Sequence, residues 1–418
     1  MTSAAKPWLA VALAALGLVA GGCSGTVTDA GPDTGARKEV TVYSSVPLQG
    51  AQRSLAEALV DGMRLALKQS GSRAGDFNVR YRPLDDSSAE AANWDPGQTA
   101  ANARRAVADP TTIGYLGEFN SGASAISIPI LNEGRVPQVS PGNTAVGLTT
   151  DEPGAERGEP RKYYPTGKRT YLRVVPNDTV QGAAVAWLMN QERCRRTFVV
   201  HDPELYGVGL ARNLQHSADE IGLRVLGNRT IDPKAGNYRS LAAAIQARNA
   251  DCVAFAGTTA NNAVQLFKDL AAGVPGAKLF GTDGVAEPTF GDEQQGGIPD
   301  AAARRTLITA PTLASSLYPK AGQAFFAAYE REYGHRPDPW AIYGYESMRL
   351  LLDAIERSGT RGNDRATVLE ALRATRDRAS VLGTYDIDAN GDTTLTDYGV
   401  YRVTEGQLEF DRRVRPSR

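Results

Sequence analysis

From Glu39 onward the chain alternates short apolar runs with stretches whose apolar residues recur every three or four positions. Val40-Thr-Val-Tyr43 and Thr112-Ile-Gly-Tyr-Leu116 read as strands, and 77–82 alternates apolar with polar residues as a half-buried strand does. Leu55, Leu59, Met63, Ala66 and Leu67 fall on one helical face. Helices are also predicted over 101–107 and 123–133, and a strand over 137–140. The rhythm breaks at 149–170, where Pro, Gly and charged residues dominate and a long surface loop is expected. It restarts with strands at 197–201, 223–230, 252–256, 278–281 and 306–310, with helices over 179–192, 207–221, 238–249 and 260–272. Helices over 320–332, 340–358 and 364–374 follow, and the chain ends in a predicted hairpin of 384–388 with 398–403. This alternation argues for an α/β fold of two doubly wound parallel-sheet lobes joined by several crossings.

Open α/β sheets bind ligands beyond the carboxyl ends of their strands, so the segments after each strand are the candidates for chemistry. In the first unit these are Ser44–Gly50, Gly117–Gly122 and Ser140–Thr144, rich in hydroxyls and small residues near helix starts. Such segments suit a carboxylate, although each taken alone is commonly a plain helix cap. The second unit offers the opposite polarity. Asp202 and Tyr206 follow one strand, Thr258-Thr259 another, and Asp283 sits in Gly281-Thr-Asp-Gly284. An acid beside a tyrosine can hold an ammonium through charge, hydrogen bond and ring face. Together the two polarities fit a zwitterionic ligand.

The first 22 residues change the compartment. Lys6 precedes the uncharged run Trp8–Ala20, and Gly21-Gly22-Cys23 follows. A basic start, a short apolar run and small residues before a cut describe a secretory signal peptide (residues 1–22). A cysteine directly after small residues resembles a bacterial lipobox, with Ala20 where Leu is commoner. Cys23 is then the lipidated N-terminus, anchoring the protein to the outer face of the cell membrane; an ordinary secretion signal cut nearby is the alternative. Residues 23–38 are small, polar and aperiodic, a flexible tether. The 418-residue chain has room for two domains, and 46 basic against 47 acidic residues give no basic footprint for nucleic acid. Cys194 and Cys252 sit at or just before strands that neighbour one another in a doubly wound sheet. Outside the cytoplasm a disulfide between them is expected, with two free thiols as the alternative.

Enzyme signatures are missing: no Gly-x-Ser-x-Gly elbow, no phosphate loop, no Cys-x-x-Cys, no His-Glu-x-x-His. His201, His216 and His335 lack metal-like spacing and read as surface or loop residues. Asp386–Asp392 matches the start of a calcium loop, with Asp397 at the twelfth position, but strand-like sequence flanks it and a structural turn is expected. No metal or cofactor is expected.

The order Pro47-Leu-Gln-Gly50, Gly117…Ser121, Ser140-Pro-Gly-Asn-Thr144, His201-Asp…Tyr206-Gly-Val-Gly-Leu-Ala211, Gly281-Thr-Asp-Gly284 and Gly344-Tyr-Glu-Ser347 resembles the type I periplasmic solute-binding proteins of ABC importers. The likeness is to their branched-chain amino acid (Leu/Ile/Val-binding) group, over about residues 39–410. It implies a multi-strand hinge between lobe 1 (39–173 plus 311–378) and lobe 2 (174–310 plus 379–412). It implies further that Ser121, Gly142 and Thr144 hold a ligand carboxylate and that Asp283, with Tyr206, holds the ammonium. Two side-chain pocket positions, usually aromatic, match Leu55 and Thr258 here, so the clamp is kept while the pocket is less aromatic and more polar. The function implied is capture of an amino acid or close analogue by hinge closure, without catalysis, and delivery to an ABC permease. The alternative is a ligand-sensing subunit of a membrane signalling receptor.

Overall fold

The computed structural model describes residues 38–416; the expected signal peptide, Cys23 and the tether up to residue 37 lie outside the described residues. The first sheet contains β1 (Glu39–Val46), β2 (Arg73–Ala74), β3 (Phe77–Asp85), β4 (Thr112–Gly117), β5 (Gln138–Ser140) and β6 (Tyr171–Arg173), in the order β2-β3-β1-β4-β5-β6. The second contains β7 (Thr197–His201), β8 (Val225–Thr230), β9 (Cys252–Ala256), β10 (Lys278–Gly281), β11 (Thr306–Ala310), β12 (Tyr398–Thr404) and β13 (Gln407–Val414), in the order β8-β7-β9-β10-β11-β12-β13. The central strands of both are parallel; β2, β12 and β13 run antiparallel at the edges.

Helices α1 (Arg53–Gln69), α2 (Pro96–Ala108) and α3 (Ser121–Glu133) belong to the first sheet, and α4 (Asp178–Gln191), α5 (Leu205–Glu220), α6 (Arg239–Ala247) and α7 (Ala263–Gly273) to the second. Later helices α8 (Lys320–Tyr333), α9 (Ala341–Arg357) and α10 (Arg365–Arg373) return to the first lobe, where Leu351 and Ile355 share a core with Leu59 and Met63 of α1. The chain therefore passes between the sheets after Arg173, after Ala310 and again before Tyr398. Gly62 and Gly344 permit the close α1–α9 crossing: a Cβ at Gly344 would lie 2.1 Å from the Leu59 carbonyl oxygen. No described helix is long and apolar enough to cross a membrane.

Register sets where the loops emerge. Ser45 pairs with Gly117 and Ser140 with Arg173, while Ala256 pairs with His201 and Phe255 with Gly281. Each sheet thus delivers its post-strand segments to one edge.

Three expectations change. The terminal hairpin is β12 with β13, not 384–388 with 398–403; Thr384–Tyr385 pairs instead with Arg378–Ala379. Glu405 and Gly406 both have positive φ (49° and 77°), the geometry that closes a two-residue hairpin. The 149–170 segment is no simple surface loop. Tyr163 and Tyr164 are buried with Ile128, Leu148 and Tyr171, and the Tyr164 hydroxyl donates to the Leu148 carbonyl at 2.7 Å. His201 is also buried, at the end of β7, with Nδ1 2.7 Å from the Asp202 carbonyl oxygen.

In the calcium-like turn, Asp388 Oδ1 accepts from the backbone N–H of Asn390 and Asp392, and Asp392 accepts from Arg173 and Asn177. Its carboxylates are taken up by protein donors, as a structural turn requires.

Cys194 and Cys252 form a disulfide with Cα atoms 5.8 Å apart and a sequence separation of 58. A loop of that length restrains the unfolded chain by about 4 kcal/mol in the chain-entropy model. Replacing both cysteines with serine is expected to lower unfolding free energy by about 2–4 kcal/mol, read by urea denaturation; an unchanged midpoint would contradict this.

Candidate functional site

Both sets of post-strand segments line one cavity. From the first lobe come Ser121, Gly142 and Thr144; from the second come Tyr206, Thr258 and Asp283. Six of the seven predicted ligand-binding residues therefore share the cavity.

Leu55 does not. It is 2% exposed and lies in the first lobe's core with Leu59 and Met63. The reason is helical phase: Leu55 shares the inward face of α1, whereas Gln52, the residue before that helix, reaches the cavity.

On the first lobe, Ser121 opens α3, and its Oγ accepts from the Ala145 N–H at 3.2 Å. That bond ties the start of α3 to the Gly142–Thr144 segment. Ser140 Oγ secures the same segment by accepting from the N–H of Gly142 (3.1 Å) and Asn143 (2.9 Å). Beneath it, buried Arg173 donates to the carbonyls of Ala145 (2.9 Å) and Asn143 (3.3 Å) and pairs with Asp392 at 2.6 Å. The guanidinium holds these carbonyls on the far side of the segment. A helix start with hydroxyls beside it is suited to a carboxylate.

On the second lobe, Asp283 begins a helical turn directly after β10. The Tyr206 hydroxyl lies 2.5 Å from Asp283 Oδ1 and 2.7 Å from Thr282 Oγ1. Burial pushes the Asp283 carboxyl up to about 6, against the opposing pull of its Tyr206 hydrogen bond. Asp178, at the start of α4, is raised as well, first by burial and then by the charge of Asp283. Asp202 has a positioning role. It accepts from the N–H of Thr258 and Glu204 and from Asn261 Nδ2, joining two cavity loops. Gly207 makes room for this, since a Cβ there would come 2.1 Å from Asp202 Oδ1.

Sequence reasoning missed several lining residues, chiefly Glu204, Trp94, Asn93 and Asn120. Asn93 and Trp94 sit on a short two-stranded ribbon with Ser87–Ser88, just before α2. Glu204 immediately precedes α5, between the noted Asp202 and Tyr206, and was the more findable of these. Its carboxyl is pushed up to about 7 by burial and then by the Asp202 charge. The lobes meet here: a Cβ at Gly122 would lie 3.2 Å from Glu204 Oε2 and 2.6 Å from Trp94 Cζ2.

Two α/β lobes crossed by the chain more than once, with a small polar cavity between their strand-end loops, define a bilobal ligand-binding protein rather than an open single sheet. The chain belongs to the periplasmic binding protein family, whose model matches residues 39–407. It is 24% identical over 374 residues to an amino acid binding protein of Pseudomonas aeruginosa, covering 89% of this chain and 92% of that one. Its fold matches a leucine-binding protein of Thermotoga maritima with TM-score 0.76, at 23% identity, over 90% of this chain and 99% of that one. It also matches a solute-binding protein of an ABC transporter from Rhodopseudomonas palustris in complex with p-hydroxybenzoic acid, with TM-score 0.74, at 17% identity, over 91% and 98% of the two chains.

Proposed function

We propose that this chain is an extracytoplasmic receptor that captures an amino acid between its lobes by hinge closure and delivers it to an ABC permease. One observation carries this reading: Ser121, Gly142 and Thr144 on one lobe face Tyr206 and Asp283 on the other across a single cavity. The first group takes the α-carboxylate. Asp283 takes the α-ammonium, with the Tyr206 hydroxyl holding its carboxylate in place. Ligand stabilises the closed state because only that state contacts both ends. The closing bodies are 39–173 with 311–378 and 174–310 with 379–412. Cys23 carries the lipid anchor, and the protein binds without turnover. The names of relatives, an amino acid binding protein and a leucine-binding protein among them, support the ligand class.

A thermal-shift screen of the twenty amino acids tests this. At least one is expected to raise the melting temperature in proportion to the logarithm of its concentration, as mass action requires. No shift with any amino acid would overturn the reading.

Asp283 also sets a pH dependence. Its folded carboxyl is raised to about 6, and it attracts an ammonium only when ionised. A proton competes with ligand below that value, so affinity for an amino acid with an uncharged side chain is expected to be flat above pH 7 and to fall by about tenfold per unit well below 6. Calorimetric titrations between pH 5 and 8 check this; constant affinity across that range would contradict it.

A further inference from the structure

The cavity contains more acid than an α-amino acid needs. Asp283 and Glu204 both line it, and among the described residues no lysine, arginine or histidine does. One carboxylate answers the α-ammonium; the other faces the region left for the ligand's side chain. Glu204 is not held there to balance Asp202, which is also acidic and already accepts three protein donors.

Three further acceptors point the same way. Asn93 Oδ1, Asn120 Oδ1 and Thr258 Oγ1 are buried without hydrogen-bond partners, and all three residues line the cavity. Thr258 is 6% exposed and Asn120 9%. Asn120 Nδ2 donates to Gln52 Oε1 at 3.0 Å, which leaves the amide oxygen as its unpaired end. An alkyl side chain would leave this set of buried acceptors unsatisfied, a state native sites avoid.

The apolar part of the wall is equally telling. Among the described residues no aliphatic side chain lines the cavity; Phe119, Trp94 and Tyr206 supply its apolar surface. Leu55 is withdrawn into the core. Trp94 lies against Gly122 near the Glu204 carboxylate, and an indole face attracts cations.

We propose that Glu204, Trp94, Asn93 and Asn120 form a second, cation-recognising subsite, so that the ligand is an amino acid whose side chain ends in an ammonium or guanidinium. This rests on the reading that Asp283 holds the α-ammonium. A guanidinium brings five N–H donors and an ammonium three, against Glu204 and the unpaired oxygens.

Calorimetry with L-arginine, L-lysine, L-leucine and L-isoleucine on the wild-type protein, E204Q and D283N tests it. Wild type is expected to bind arginine or lysine at least tenfold more tightly than leucine or isoleucine. E204Q is expected to weaken the basic ligand at least tenfold and to leave leucine unchanged or improved; D283N weakens every ligand. Tighter binding of leucine or isoleucine by wild type overturns the subsite while the D283N result still supports the clamp. An equal loss for all ligands in E204Q also overturns it, since Glu204 then acts only as a contact between the lobes. Unchanged affinity in D283N brings down the clamp and this inference with it. The wild-type preference needs no variant, so a poorly folded E204Q leaves the test intact.

Discussion

Asp283→Ala is expected to weaken amino acid binding by about one to three orders of magnitude while leaving the fold intact. The carboxylate is buried in the cavity wall and bonded to Tyr206. Truncating one partner of a buried, hydrogen-bonded charge pair costs ~2–5 kcal/mol, much of it from stranding the other charge without water. Here the stranded charge is the ligand's ammonium. Because Asp283 is raised by burial to about 6 in the free protein, removing it also removes a buried acid that disfavours the folded state at neutral pH. The sign follows from linkage: a carboxyl whose folded pKa lies above its unfolded one binds more protons when folded, so its contribution to stability falls as pH rises between the two. The variant should therefore unfold at or slightly above the wild-type denaturant midpoint near pH 7.5 while binding poorly. Unchanged affinity by titration calorimetry would break the assignment of Asp283; a collapse in stability would contradict the electrostatic account.

Arg173→Ala is expected to cost about 3–5 kcal/mol of unfolding free energy, a large part of the ~5–15 kcal/mol typical of a domain. The side chain is 0% exposed, pairs with Asp392 at 2.6 Å and donates to Thr149 Oγ1 at 2.5 Å. Its removal leaves the buried Asp392 carboxylate without its cation, with Asn177 still donating to it, and takes the guanidinium donor from two backbone carbonyls. It also frees the Asn143–Ala145 segment that presents Thr144, so the loss should extend to ligand affinity. Combining Arg173→Met with Asp392→Asn should recover part of the stability, because a buried pair removed from both sides leaves no lone charge. Urea denaturation with and without ligand measures both effects. An Arg173→Ala variant within 1 kcal/mol of wild type would show that this pair supports neither lobe nor site.

Much of the site was legible in the sequence because sheet topology confines ligands to strand ends. Ser121, Gly142, Thr144, Tyr206, Thr258 and Asp283 all follow predicted strands within a few residues, and register carries them to one cavity. The disulfide was legible for a related reason: Cys252 pairs in register with Thr197, three residues after Cys194. Leu55 shows where resemblance and periodicity disagree. Its place on the apolar face of α1 marks it as core, and burial followed the periodicity. Trp94 and Asn93 carry no local signal, because their significance comes from where the second lobe meets them, whereas Asn120 lies in the noted Gly117–Gly122 segment without having been singled out. Tyr163 and Tyr164 were hidden by the polar residues around them, though two adjacent aromatics in a loop are natural anchors. In β13 the alternating Leu408 and Phe410, which pack against the second core, were masked by the charged residues between them.

The most direct measurement compares three molecules: the amino acid giving the largest thermal shift, its methyl ester and its des-amino acid. Each analogue deletes one charge and leaves the side chain in place. Facing lobes of opposite preference require both ends, so each analogue is expected to bind at least a hundredfold more weakly in calorimetric titration. Parent and analogues binding with equal affinity would contradict the two-ended clamp.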